Sequence, residues 1–168
     1  MMARAHPQFA LRPYLPTDVP LLADIFRASV EELTEEDYNP AQQQAWAAEA
    51  DDLEAFAERL GKHLTLIATM EGSAVGFISL DAPTEIGLFY VHPAVAGQGV
   101  GAMLYDAIEK LSAARGTPHL KVEASDTARE FFQRRGFTAE LRNTVSVGNE
   151  WLANTTMKKK LAAKERTS

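Results

Sequence analysis

The sequence predicts a mixed α/β fold, an open sheet of parallel and antiparallel strands with helices on both faces. Two observations carry this. The apolar pattern has a helical period up to about residue 60 and turns to alternation from Leu64 onward. The stretch 85–124 then reads strand, glycine loop, long amphipathic helix, strand. Such a β-α-β unit demands two parallel strands, because only a long crossover returns the chain in the same direction. The other strands can pair antiparallel, and helices before and inside this unit cover the two faces.

Each element has its own signal. Residues 8–12 read as a short strand. Thr17 can cap a helix with Asp18 in its first turn, and Leu22, Ile25, Phe26, Ser29, Val30 and Leu33 follow as a helical stripe. Asn39-Pro40 is a second start signal, with Asn as cap and Pro at the first helical position. That helix runs through Trp46, and a further short one near 53–60 ends before Gly61. Leu64, Leu66 and Ala68 alternate with Thr65 and Ile67 as in a strand. Glu71-Gly72-Ser73 is a turn, and a strand over 74–80 completes a hairpin. A strand over 85–92 is stopped by Pro93, and Val100, Met103, Leu104, Ala107, Ile108 and Leu111 make the stripe of a core-facing helix. Residues 119–124 form the next strand. A helix over 126–135 follows, with Ala128, Phe131 and Phe132 on one face and Gly136 at its C-cap. The alternating runs 139–147 and 150–158 pair through Gly148-Asn149. The order is β-α-α-β-β-β-α-β-α-β-β, in a single domain over 1–168 with a core of about 8–160 and loose ends at 1–6 and 162–168.

Composition narrows the function classes. At 168 residues, with 46% hydrophobic and 24% charged residues, the chain is an ordinary globular one with room for a sizeable core. It has no cysteine, which excludes disulfides, thiolate metal sites and a Cys nucleophile, and no metal site is expected. No apolar run reaches the length of a membrane span, and the N-terminus lacks a secretory pattern, so a cytoplasmic location without membrane contact is expected. A formal charge of −6 argues against broad nucleic-acid binding and suits a cationic substrate such as an amine. The basic run Lys158-Lys159-Lys160 with Lys164 and Arg166 reads as a solvated tail.

The most informative segment is Val91-His92-Pro93-Ala94-Val95-Ala96-Gly97-Gln98-Gly99-Val100-Gly101-Ala102. Its three glycines let a ligand approach the backbone closely. The helix that follows starts with unsatisfied N–H donors and a partial positive charge, so together they form a seat for a phosphate or pyrophosphate. A P-loop would need Lys-Ser/Thr after the last glycine, where Ala102 and Met103 stand. A dinucleotide loop would need Gly-x-Gly-x-x-Gly at the start of the fold, whereas this loop is Gly-x-Gly-x-Gly after about 90 residues of other structure.

Phe89-Tyr90-Val91-His92-Pro93 followed by Gly97-Gln98-Gly99-Val100-Gly101 resembles the acetyl-CoA motif of the GNAT (GCN5-related) N-acetyltransferases. Ser125, Ala128, Phe131-Phe132 and Gly136-Phe137 resemble the family's second motif, whose strand and helix flank the pantetheine arm. Tyr38–Trp46, Phe131-Phe132 and Asn154-x-x-Met157 are similar to a subgroup of small bacterial members. The resemblance covers about 8–160 and implies the GNAT acyl-CoA N-acyltransferase fold, acetyl-CoA as donor, transfer to a primary amine of a small molecule or peptide, and a homodimer as a common assembly. It further implies that Phe89, Tyr90, Val91, Ala96, Gly97, Gln98, Gly99, Val100, Gly101, Ala102, Ser125, Ala128, Phe131 and Phe132 contact the cofactor. Two positions depart from the family pattern. Ala96 replaces a frequent Arg or Gln, which removes a phosphate contact but keeps the backbone cradle. Phe132 replaces a frequent Tyr that protonates the departing thiolate, and it has no proton to give. This leaves open a second reading, a non-catalytic acyl-CoA-binding sensor.

The transfer needs a group to take a proton from the amine and a donor for the oxyanion. By resemblance the donor is a backbone N–H of the strand over 85–92, which the family breaks with a bulge, and Gly87 is a candidate for that irregularity. Four residues could handle protons. Glu123 lies two residues before Ser125, Glu85 early on its strand, and Tyr90 beside the expected oxyanion donor. His92 carries the side chain type that titrates nearest neutrality. Glu123 is preferred. Tyr38, Trp46 and Trp151 are candidates to line the acceptor pocket, with core packing an equal account of each.

Overall fold

The computed structural model describes residues 8–162. Residues 1–6 and 163–168, expected as loose ends, lie outside the described residues, as do Lys164 and Arg166. Seven strands form one mixed sheet: β1 (Phe9–Pro13), β2 (Leu64–Met70), β3 (Ser73–Ala82), β4 (Glu85–Val91), β5 (His119–Ser125), β6 (Thr138–Val147) and β7 (Glu150–Lys160), in the spatial order β1-β2-β3-β4-β5-β7-β6. Only β4 and β5 run parallel, as the crossover through α4 (Val100–Ala114) requires. On one face lie α1 (Val19–Leu33), α2 (Pro40–Ala47) and α3 (Leu53–Leu60), and on the other lie α4 and α5 (Arg129–Arg134).

The short helix expected near 53–60 is α3, which the expected order did not count; Asp52 caps it by accepting the Ala55 N–H, so three helices precede β2. Asn39 caps α2 as its sequence signals. Its side chain accepts the Gln42 N–H at 2.8 Å, while Gln42 returns a bond to the Asn39 N–H at 2.9 Å. Thr17 does not cap α1. Residues Pro16–Asp18 form a 3-10 turn, and the Asp18 carboxylate instead accepts the Leu15 N–H and two bonds from Arg12. The α5 helix is shorter than its sequence stripe, since Ser125 draws 126–128 into a turn by accepting the Ala128 N–H. Its end is closed as expected by Gly136 at φ +93°, with the Phe137 N–H bonded to Phe132 O and the Gly136 N–H to Gln133 O. The run Lys158-Lys159-Lys160 is not a tail. It completes β7, where Lys159 reaches Glu109 of α4.

Two cores sandwich the sheet. Ala68, Ile78, Ile86, Leu104, Ile108, Val122 and Met157 pack under α4 and α5. Leu22, Phe26, Val30, Ile67, Phe77 and Leu88 pack under α1 and α3. Residues 86 and 88 would share a face in a regular strand. They do not, because β4 carries one extra residue between Ile86 and Phe89 relative to Leu80 and Ile78 of β3. The bulge therefore sends Phe89 toward α4 and α5 and Tyr90 toward α1 and α2.

Candidate active site

The bulge also decides where the sheet opens. β4 and β5 pair only at Glu85–Lys121 and Ile86–Val122 and then separate. The irregularity falls at Gly87-Leu88, as anticipated for Gly87. The Leu88 N–H, lacking a carbonyl partner across the bulge, bonds the Ser79 hydroxyl at 2.8 Å. A Cβ at Gly87 would fall 2.3–2.6 Å from the Asp81 carboxylate, so any side chain there would have to turn Asp81 aside from its pairing with Arg59. The Leu88 N–H and the His92 N–H both point to β3, the latter to Val75 O at 2.8 Å. Strand alternation therefore turns the Phe89 and Val91 N–H groups toward the gap left by β5. These are the backbone donors available to an oxyanion.

At the end of β4 the chain enters the glycine loop. Pro93–Val95 is a 3-10 turn, and Gly97 and Gly99 adopt φ +79° and +87°, a left-handed conformation in which a Cβ is strained. The first bond inside α4 is Met103 N–H to Gly99 O at 3.0 Å, so the N–H groups of Val100, Gly101 and Ala102 have no helical acceptor. Ala96, Gly97, Gln98 and Gly99 are exposed around them. A Cβ at Gly101 would come within 3.4 Å of the Phe89 ring, so α4 lies close against β4 at this point. Free donors, exposed glycines and a helix N-terminus match what the pyrophosphate of coenzyme A needs.

A cavity of about 400 Å³ extends inward from the opening between β4 and β5. Glu85, Phe89, Tyr90, Glu123, Ser125, Ala128, Phe132, Tyr38 and Trp46 all line it. Val91 and the loop residues from Ala96 to Ala102 do not, and neither do three others. Trp151 is 63% exposed, because its place on β7 points it away from Tyr38 and Leu152, and only its carbonyl is engaged, by Gln42. His92 is held in the loop, with Nδ1 accepting the Ala94 N–H at 3.0 Å. Phe131 packs beside the cavity against Phe89, with ring centroids 5.3 Å apart, and under the Arg135 guanidinium. Phe132 is buried among Phe89, Tyr105 and Phe137, as a core residue with no polar atom to offer.

The polar groups of the cavity differ in what holds them. One Glu123 oxygen accepts from Thr156 Oγ1 at 2.6 Å and Asn143 Nδ2 at 3.1 Å, and the other is 3.6 Å from Lys121 Nζ. Glu85 lies 3.9 Å from the same ammonium. The Tyr38 hydroxyl donates to Ala153 O at 2.6 Å and accepts the Asp126 N–H at 2.9 Å, and burial raises its pKa. Tyr90 accepts a bond from Trp46 Nε1 at 3.3 Å, and burial pushes its hydroxyl far above the usual phenol range, so it stays neutral. Sequence reasoning missed Glu49, Arg59 and Asp81, which also line the cavity. Arg59 and Asp81 form an ion pair at 3.1 Å. None of the three stands in a motif, and each reads as a solvated charge on its own element. In all, four carboxylates face two cations in this space.

The acetyltransferase (GNAT) domain family matches residues 34–161. The chain belongs to the GNAT acetyltransferase family, and it is an acyltransferase. It is 31% identical over 150 residues to the uncharacterized N-acetyltransferase YafP of Escherichia coli K12, covering 89% of this chain and 95% of that protein. It is 55% identical to a GCN5-related N-acetyltransferase from Rhodopseudomonas palustris, also labelled Aminotransferase, Class-II. That crystal structure superposes with a TM-score of 0.89 over 96% of this chain and 99% of the other. The PaiA N-acetyltransferase of Thermoplasma acidophilum, solved with coenzyme A, shares the fold at a TM-score of 0.73 and 20% identity, over 91% of this chain and 99% of that one.

Proposed function

We propose that this GNAT protein transfers the acetyl group of acetyl-CoA to a primary amine of a cationic small molecule or peptide. The observation that carries the reading is the opening between β4 and β5. Beyond it β4 runs on into a glycine loop and a helix N-terminus with free N–H donors, and the cavity lined by the two strands has a formal excess of two negative charges. Anion and cation thus have separate seats, the loop for one and the cavity for the other.

Bound acetyl-CoA supplies the activated acetyl group. The backbone from Gly97 to Ala102 holds its pyrophosphate, Ser125 and Ala128 flank its pantetheine arm, and the Phe89 and Val91 N–H groups face the gap where the acetyl carbonyl would lie. Glu123, fixed by Thr156, Asn143 and Lys121, sets a carboxylate in the cavity wall where it faces the ammonium of the acceptor. Phe132 gives the leaving sulfur no proton.

Calorimetric titration with acetyl-CoA, beside Gly99→Glu, tests the donor site. Wild type is expected to bind at micromolar Kd. The variant is expected to lose binding, since it strains a left-handed residue and sets a carboxylate beside the phosphates. Absence of wild-type binding would end the proposal. An amine screen then tests the acceptor by thiol release. With no cysteine in the chain, any free thiol is released coenzyme A.

A further inference from the structure

We propose that Glu49 takes the proton from the acceptor ammonium; this deepens, and rests on, the N-acetyltransferase reading above. The argument starts from the four carboxylates of the cavity. Asp81 is paired with Arg59, Glu85 with Lys121, and Glu123 with Lys121, Thr156 and Asn143. Glu49 alone has neither hydrogen bond nor ion pair among the described residues. A base must offer a lone pair to the incoming proton, and Glu49 is the one of the four with neither a hydrogen bond nor a cationic partner within 4 Å to compete for it.

Its position suits the task. Glu49 lies in the 3-10 turn Ala48–Ala50 that continues α2, three residues after Trp46, and both line the cavity with Tyr90. Trp46 and Tyr90 are tied by the indole N–H bond, so Glu49 stands beside a fixed wall rather than on a free loop. The groups facing it are Arg59 from α3 and the neutral Tyr90 hydroxyl from β4, with Asp81 of β3 neutralised by that same Arg59. Glu49 is open to solvent on one side, yet the protein packed around its carboxylate raises its pKa above the usual glutamate value, with Arg59 acting against the rise. Such a shift brings a carboxylate closer to the pH at which it serves as a base. The solvent-facing side lets the proton leave after each turnover.

The step balances as follows. The ammonium gives one proton to Glu49, and the freed nitrogen lone pair forms the C–N bond to the acetyl carbon as the C–S bond breaks. The second nitrogen proton ends on the coenzyme A sulfur, and Glu49 returns its proton to water.

The test compares wild type, Glu49→Gln and Glu123→Gln on primary amines of falling basicity: n-butylamine, 2-methoxyethylamine, glycinamide and 2,2,2-trifluoroethylamine. Expected for Glu49→Gln are unchanged acetyl-CoA affinity by calorimetry, a kcat lower by about 10²-fold or more, and loss of the acidic limb of the kcat/KM profile. The deficit should shrink toward trifluoroethylamine, which needs no base to be unprotonated at neutral pH. Glu123→Gln should raise KM and keep the limb. A Glu49→Gln enzyme with the wild-type rate and pH profile, or with the same deficit on every amine, overturns the assignment. If wild type binds acetyl-CoA but acetylates none of the four, the acceptor reading itself fails and the Glu49 role with it.

Discussion

Tyr38 was expected at the acceptor pocket, and its ring does line the cavity, but its hydroxyl is committed elsewhere. It joins the backbone of Asp126, just past β5, to that of Ala153 on β7. Removing it leaves a part-buried N–H and C=O without their partner, which costs about 1–3 kcal/mol. Tyr38→Phe should therefore lower the unfolding free energy by that amount, read as a lower urea midpoint at an unchanged m-value. A ring that only contacted substrate would leave stability unmoved. Tyr38 was legible as a cavity residue because Tyr38–Trp46 resembles a known segment. Its bridging role was not, since its partners are 88 and 115 positions away along the chain. Glu49 was invisible for a related reason. In a local alanine-rich stretch it looks like any solvated glutamate, and only the packing of Trp46 against β4 brings it to Tyr90.

Among the elements, β1 and α1 are joined through Asp18, whose carboxylate accepts two bonds from Arg12 at 2.8 and 2.9 Å and the Leu15 N–H at 2.8 Å. The hydrogen bond from Arg12 outweighs desolvation and holds its pKa below the usual aspartate value. With the folded pKa lowered, the unfolded chain binds the proton more readily. The stabilisation is present above the unfolded pKa of about 3.9 and is lost as pH falls through the lower folded value. Asp18→Asn should thus be less stable than wild type by about 1–3 kcal/mol at pH 7. The gap should narrow as pH falls below about 4, which urea midpoints at the two pH values would show. The opening strand and helix were readable from local pattern. The Thr17 cap was the wrong choice because the neighbouring Asp18 brings a stronger acceptor that also meets Arg12 across the turn.

At the scale of the molecule, the seven-stranded sheet is weakest where β4 leaves β5, with two residue pairs between them. On the proposed function acetyl-CoA fills this gap and binds the folded state alone. Saturation at 100 times Kd should add about 2.7 kcal/mol and raise Tm by about 5–10 °C in a calorimetric scan. Gly99→Glu should show no rise. Ligand held only on the outer loop would stabilise α4 without closing the sheet, and amide exchange of β5 would then be unchanged.

What the sequence determined by itself was the set of elements, the parallel pair and the loop: hydrophobic period, capping residues and glycine spacing are local, so the chain carries them within a few residues of each site. What only the tertiary structure decided was which charges share a cavity, that Trp151 and His92 stand outside it, that Lys158–Lys160 finishes a strand, and that one extra residue in β4 decides which face takes Phe89 and which takes Tyr90. These are distances between residues far apart in the chain, set by sheet order and register, and no local pattern records them.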